Sequence, residues 1–423
     1  AGLPPLRPAT PASSGFMRPQ ARPLAVRWES AVVDLSGFAT VTRALGMRLM
    51  SDAHVRLRFV ERGDDTHPHQ EGVYGDLYKL IARSQADLAE LGPPDVTVRL
   101  HWEPNFQPAP VGKLVQYLPW EFEALPAEWV ALLNRHADEV WVPARHTRES
   151  FVQSGVAADK VHVVPHGVPE AACLRQRRGS SSASPAHASG GTDELSPLLG
   201  KHSGKFKLLY HGGLLWRKGI DLLLEAYSQA FGASDHVVLL LHSTYGDKPV
   251  YELVQRHLRD ASSGGGAEVD LLEQRLSDEG LSQLYEAADV LVHPARSEGF
   301  GLTVAEAMAH GLPVVLPAYG AAAELLGSGS GLLVPAAPAA CRRYPCAADA
   351  RSAFTPDWAT GLELTWADYS TADLAAALRQ AHERPQELAR LGAAARERAC
   401  GTYSWDLAYK AFKGRLDALA AAA

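Results

Sequence analysis

The chain has few cysteines, no long apolar run and no large excess of charge of either sign. Each shortage removes a class of protein. Its four cysteines, Cys173, Cys341, Cys346 and Cys400, form no C-x-x-C pair and no zinc spacing. A disulfide-dense scaffold is therefore excluded, and Cys341 and Cys346 are expected to pair only in an oxidising compartment. No apolar stretch approaches the ~20 residues that cross a bilayer as a helix. A net charge of −7 offers no basic field for nucleic acid or an anionic membrane. The expectation is a cytoplasmic or otherwise soluble protein in a reducing compartment, with no nucleic-acid partner, no transmembrane segment and an oligomeric state left open. The first residue is Ala, not Met, so a removed upstream segment is allowed for.

What is present is ordinary globular material: 46% apolar and 21% charged residues. A length of 423 residues suits two domains of ~200 residues each. Residues 1–24, rich in Pro, Ala and Ser, read as a flexible leader. Residues 25–170 show short apolar runs alternating with helical stretches. The runs are Val96–Leu100, Lys113–Leu118, Val140–Pro143 and Val161–Pro165, and the helical stretches include Thr40–Met50 and Trp129–Arg135. Residues 171–204, with R-Q-R-R followed by a Ser/Ala/Gly run, read as a linker or disordered insertion.

The alternation resumes over 205–402. The expected strands are Lys207–Tyr210, Val237–His242, Val290–Pro294, Pro313–Pro317 and Gly331–Val334. They are short and continuously apolar, as strands covered on both faces are. Ile220–Phe231 carries its apolar residues on one helical face, and Ser277 is placed to cap the helix holding Leu281, Leu284 and Tyr285. Residues Ala336–Trp358 break the rhythm and read as a surface insertion. A last helix over 403–423, opened by Trp405, can cross back to the N-terminal domain. Strands alternating with helices at this spacing define an α/β chain with doubly wound sheets, which bind ligands beyond the carboxyl ends of their strands.

Chemistry concentrates in Ser297–Glu306, S-E-G-F-G-L-T-V-A-E. Glu298 falls in the loop after an expected strand and Glu306 in the first turns of the next helix. Gly299 and Gly301 allow close approach of the backbone, and free N–H groups at a helix start favour a phosphate. Carboxylates beside a phosphate repel it, so these two make sense facing neutral hydroxyls. A sugar on one side of a diphosphate and a ribose on the other meet both conditions. Two isolated glutamates would more often be a solvated loop and a cap; the strand–loop–helix setting reverses that weighting.

The stretch S-E-G-F-G-L-T-V-A-E-A-M-A-H-G-L-P-V-V resembles the E-x7-E region of the glycosyltransferase group 1 family. The resemblance continues through Tyr210–Tyr227, Leu281–Pro294 and Gly331–Pro335. It implies a GT-B fold, two facing Rossmann-like domains with a cleft between them. It also implies a retaining transfer from a nucleoside-diphosphate sugar, UDP- or GDP-linked, to an unidentified acceptor, without cofactor or metal. The GT-A metal signature D-x-D is absent from the sequence. By this resemblance Glu298 contacts the donor sugar, Glu306 the ribose, and Lys218 with Arg217 the diphosphate. Gly213 stands where many relatives have Arg, and Arg217 is the expected substitute. Phe300 and Leu302 complete the donor loop, and Arg275 and Leu276 fall where relatives build the base pocket.

In the N-terminal domain, D-L-S-G-F-A (Asp34–Ala39) resembles the glycine loop facing the cleft, which brings in Gly37. At the exit of the strand in Gly112–Phe122, Pro119, Trp120 and Glu121 stand where many relatives have a functional His. His101 is a partial replacement for it, and Trp120 is either a sugar platform or a core residue. His166 replaces the usual Asn in Val161–Val168. Two other readings stay open: another GT-B enzyme such as a sugar-nucleotide epimerase, and a non-catalytic sugar- or protein-binding module. A pyridoxal-type phosphorylase lacks its lysine context here.

Overall fold

The computed structural model describes residues 22–34, 36–63, 76–83, 85–90, 92–175, 195–341 and 364–422. Most of the expected leader and linker, and much of the expected insertion with Cys346, lie outside these residues.

The first sheet takes β1 (Leu24–Ser30), β2 (Val55–Glu61), β3 (Val96–Leu100), β4 (Lys113–Tyr117), β5 (Glu139–Val142) and β6 (Val161–Val163). They lie in the order β2-β1-β3-β4-β5-β6, and every pair is parallel. Helices α1 (Gly37–Met50), α2 (Ala127–His136) and α3 (Arg145–Gln153) cross over between them. The second sheet takes β7 (Phe206–His211), β8 (Val237–His242), β9 (Glu268–Leu272), β10 (Val290–Val292), β11 (Val314–Pro317) and β12 (Leu332–Val334). Its order is β12-β11-β10-β7-β8-β9, again all parallel. Its crossovers are α5 (Ile220–Ala230), α6 (Lys248–Ser262), α7 (Asp278–Ala287), α8 (Leu302–Ala309) and α9 (Gly320–Leu326), with α4 (Glu170–Leu174) before the sheet.

The apolar runs became strands because parallel sheets bury both faces. All six residues of β8 are buried. The expected N-cap is made: Ser277 Oγ accepts from Gly280 N at 3.0 Å. Strands β1, β2 and β9 escaped the reading because they carry charges. Glu29 of β1 is buried and paired with Arg99 and Arg27 at 3.1 and 3.0 Å. In β9, Asp270 pairs with Lys201 at 2.6 Å.

Two features tie the sheets together. After α10 (Thr371–Glu383) and α11 (Pro385–Thr402), the chain returns to the first sheet as α12 (Trp405–Ala421). There Trp405, Phe412 and Leu416 join Trp28, Tyr117 and Trp141 in one core, with Phe412 stacked 5.0 Å from Trp28. The return follows from the one apolar stripe of α12, which must be buried somewhere. Second, the interruption expected as a surface insertion is framed by an antiparallel pair, β13 (Ala337–Ala340) and β14 (Thr365–Asp368). Trp366 and Leu364 from it pack with Trp120, Phe122 and Trp129 of the first sheet's side, so it is not merely superficial.

A disulfide joins Cys173 on α4 to Cys400 on α11, 227 residues apart. The expectation had Cys341 and Cys346 pairing only in an oxidising compartment; Cys341 is itself disulfide-bonded, and Cys346 lies outside the described residues. The Cys173–Cys400 bond was not among the expectations; it forms because the fold brings α4 and α11 side by side. No helix among the described residues is long and apolar enough to cross a membrane.

Candidate functional site

The carboxyl ends of the two sheets face each other, and the loops that leave them meet. Gly219 follows the short turn Trp216–Lys218 in a left-handed conformation, φ 71°. A Cβ there would sit 1.9 Å from Pro294 O, so only glycine brings this turn against the exit of β10. That contact sets Arg217 and Lys218 beside Glu298. Lys218 Nζ is hydrogen-bonded to Glu298 Oε1. Arg217 Nη1 donates to Ser297 O at 2.8 Å and lies 3.7 Å from Glu298 Oε2. His293, at the end of β10, brings Nε2 within 3.1 Å of Glu298 Oε1.

This setting decides the charge on Glu298. Burial alone would push the carboxyl up, but Lys218, His293 and Arg217 hold it well below the usual carboxylate range. Glu306, one helix turn into α8, has the opposite fate. Burial pushes it up to about 7 against a hydrogen bond from Tyr285. Gly301, with φ 97°, opens α8, and no side chain caps that helix start. Its first N–H groups are therefore turned toward the loop, as an anion requires.

Among the residues expected on the donor side, Gly299 is where the two sheets' loops touch. A Cβ there would lie 3.1 Å from Pro119 Cβ and 3.2 Å from Trp120 N. Leu302 packs against both cores, and a Cβ added at Gly37 would lie 3.3 Å from Leu302 Cδ1. Gly213 is covered by the ring of Tyr245, which would be 2.4 Å from a Cβ. The space above Gly213 is thus filled by a tyrosine that is itself 61% exposed, and no simple reading of the sequence pointed to Tyr245. Arg275 and Leu276 lie between β9 and α7; Arg275 is exposed, and Leu276 packs on the second core. The Phe300 side chain departs from expectation. It is buried among core residues, 5.0 Å from His166 and 5.9 Å from Tyr403, and only its backbone belongs to the loop.

On the first sheet, Glu121 reaches across and pairs with Arg217 at 3.2 Å. Trp120 is a core residue, not a platform: it is 3% exposed, packs on Phe122 and Trp129, and donates from Nε1 to Ala124 O at 3.2 Å. His101 does not join Glu298. It stands near Glu29, Arg99 and Arg62, buried, with its pKa lowered by desolvation and no partner at Nε2. His166 is wholly buried between Tyr117 and Phe300, and burial drives it down to about 3. Sequence reasoning missed His293, His211 and Tyr285. Each looked like part of an apolar strand or helix face.

Two parallel Rossmann-like sheets facing across a cleft are the GT-B fold. Solved structures share it across nearly the whole chain. Anabaena HepE in complex with UDP-glucose superposes with a TM-score of 0.66 at 16% identity, covering 93% of this chain and 100% of that one. Sucrose-phosphate synthase from Thermosynechococcus elongatus gives 0.63 at 18%, covering 95% and 100%. Residues 205–343 match the family model for glycosyl transferases group 1. D-inositol 3-phosphate glycosyltransferase 1 of Catenulispora acidiphila is 31% identical over 184 residues, 43% of this chain and 41% of that protein. The MMP alpha-(1->4)-mannosyltransferase of Mycolicibacterium hassiacum is 28% identical over 188 residues, 44% of this chain and 37% of that one. These alignments thus span about two-fifths of the relatives' length.

Proposed function

We propose that this chain is a glycosyltransferase that moves a sugar from a nucleoside-diphosphate sugar to an acceptor hydroxyl, with residues 205–402 binding the donor and 25–170 facing the acceptor. The observation that carries this reading is the half-buried, ionised Glu298 set among Lys218, Arg217 and His293 before α8. A carboxylate held charged in a cleft is a strong acceptor for sugar hydroxyls. Two cations and a helix start beside it suit a diphosphate. Glu306, at the inner side of the same helix, suits the ribose.

The roles follow from charge. Cleavage of the bond between the anomeric carbon and the diphosphate leaves negative charge on the diphosphate. Lys218, Arg217 and the N–H groups of α8 stabilise it without reorganising, the electrostatic work a divalent ion does elsewhere. We read the transfer as retaining and front-face. The acceptor oxygen bonds to the anomeric carbon as the phosphate oxygen leaves, and that oxygen takes the acceptor's proton. No protein nucleophile is needed, so the single carboxylate beside the sugar acts by binding and not by attack. Glu121 also pairs with Arg217, so a diphosphate would compete with Glu121 for that cation while Glu298 stays beside Lys218.

The test is nucleotide release from a panel of UDP- and GDP-sugars, with thermal shift on the same panel. A nucleotide that binds only the native state raises its apparent stability. Stabilisation with slow nucleotide release is the expected result. Binding without release under any acceptor would leave a sugar-nucleotide-binding module, and no binding at all would sink the reading.

A further inference from the structure

Glu306 depends on a small set of buried polar groups. The Tyr285 hydroxyl donates to Glu306 Oε2 at 2.9 Å and lies 3.1 Å from His211 Nδ1. Its ring lies between His211, with centroids 5.8 Å apart, and His310, at 5.1 Å, with interplanar angles of 30° and 32°. Tyr285 is 2% exposed, so packing, not rotation, fixes where its hydroxyl points. Behind it, His211 stands 4.7 Å from His242, whose Nε2 is 3.1 Å from Gln274 O. Since a carbonyl can only accept, that nitrogen of His242 carries a hydrogen. The hydrogen-bonded chain runs from His211 at the end of β7 through Tyr285 of α7 to Glu306 of α8, and His242 packs on His211 by its ring.

A hydroxyl has one hydrogen, and this makes the chain directional. When Tyr285 donates to the Glu306 carboxylate, its oxygen accepts, and His211 Nδ1 must carry the hydrogen it offers. When Glu306 is protonated it donates to the Tyr285 oxygen, and the hydroxyl turns to His211, which needs the other tautomer. The state of Glu306 and the tautomer of His211 therefore change together.

We propose that Tyr285, backed by His211, is a positioning residue of the donor site that holds the Glu306 carboxylate as an acceptor for the vicinal hydroxyls of the nucleotide's ribose. The inference rests on the donor-site reading above. The groups facing Glu306 are Tyr285 and Asp278 from α7, His211 from β7 and, one layer back, His242 from β8; His310 lies on its own helix, with Nδ1 2.8 Å from Glu306 O. Burial drives His211 down to about 3, so it stays neutral over the working range and acts through its tautomer. Burial and Asp278 oppose ionisation of Glu306; the Tyr285 hydrogen bond favours it. A neutral carboxyl offers the ribose a poorer pair of acceptors. Affinity for a nucleotide should therefore fall as pH drops through the region of Glu306, by about tenfold in all once the carboxyl is neutral.

The experiment is isothermal titration of the full chain with UDP and with GDP from pH 5.5 to 8.5, in wild type, Y285F and E306Q. Y285F removes one oxygen and keeps the ring. Its Kd is expected to rise about threefold at pH 7, and the pH midpoint of its affinity to move up by about one unit, so that the loss shrinks toward pH 8.5. E306Q is expected to lose the pH dependence altogether, which tests the idea even if Y285F folds poorly. A Y285F protein with wild-type Kd and midpoint overturns the proposal. So does a uniform loss at every pH, which would mark a merely structural tyrosine, or an E306Q protein that keeps the pH dependence. If wild type binds neither nucleotide, the donor-site reading itself fails and this inference falls with it.

Discussion

Glu298 and Glu306 are the same residue type, both are half-buried, and they stand at the two ends of one short loop-and-helix segment. Their surroundings drive them apart. Glu298 lies among Lys218, Arg217 and His293 and stays charged well below the usual range. Among the described residues Glu306 has one hydroxyl and no cation beside it, and burial lifts it to about 7. The difference shows what a buried carboxylate costs: partners decide whether desolvation is offset. It also separates their work. On the proposed reading, Glu298 is a permanent charge at the reacting end of the cleft, whereas Glu306 can be switched by pH at the nucleoside end.

The largest effect expected from this contrast is on turnover. Glu298→Gln should cut it by roughly 10²–10³-fold, a loss of the size seen when one electrostatic contact to a transition state is removed, while circular dichroism shows a folded chain. Unchanged turnover in a folded variant would remove Glu298 from the site. Next is Glu306→Gln. It should weaken UDP or GDP binding by about tenfold at pH 8 but match wild type near pH 5.5, where both side chains are neutral. Equal losses at both pH values would erase the distinction between the two glutamates.

A third effect concerns stability. Because the Glu298 carboxyl is depressed in the folded state, its contribution is present above the ordinary carboxylate pKa and is lost as pH falls below it. Urea unfolding should therefore show Glu298→Gln less stable than wild type at pH 7, with the gap narrowing steadily as pH falls below about 5. A gap that widens on acidification would contradict the assigned charge. The smallest effect is expected from Glu121→Gln. It frees Arg217 from a partly exposed pair worth about 1 kcal/mol, so UDP should bind about fivefold tighter. Weaker binding would mean that Glu121 orients Arg217 and does not compete with the diphosphate.

Much of the second sheet was legible because parallel strands are continuous apolar runs, and β8 could be read residue for residue. The segment Ser297–Glu306 and the turn Trp216–Lys218 were legible as motifs, and the structure brings them together. The reading failed where a charge is buried with a partner far along the chain. β1 hides Glu29 and Arg27, and Arg99, which neutralises Glu29, is 70 residues away. It also failed where a side chain has two possible directions. Trp120 and Phe300 sit in loops at the cleft, and only packing turns them into cores. Tyr285 and His211 looked like ordinary members of a helix and a strand until the fold placed Glu306 beside them.

The sequence by itself determined the alternation of strands and helices, the glycines at 219, 299 and 301, and the residue types that can meet a sugar and a diphosphate. Those are local properties: periodicity, backbone freedom and side-chain chemistry over a few residues. Only the tertiary structure decided that α12 returns to the first sheet, that Cys173 meets Cys400, that Glu121 crosses to Arg217, and that one glutamate is charged while the other waits near neutrality. Each of these depends on burial and on a partner supplied from another element, and neither is written in the neighbouring residues.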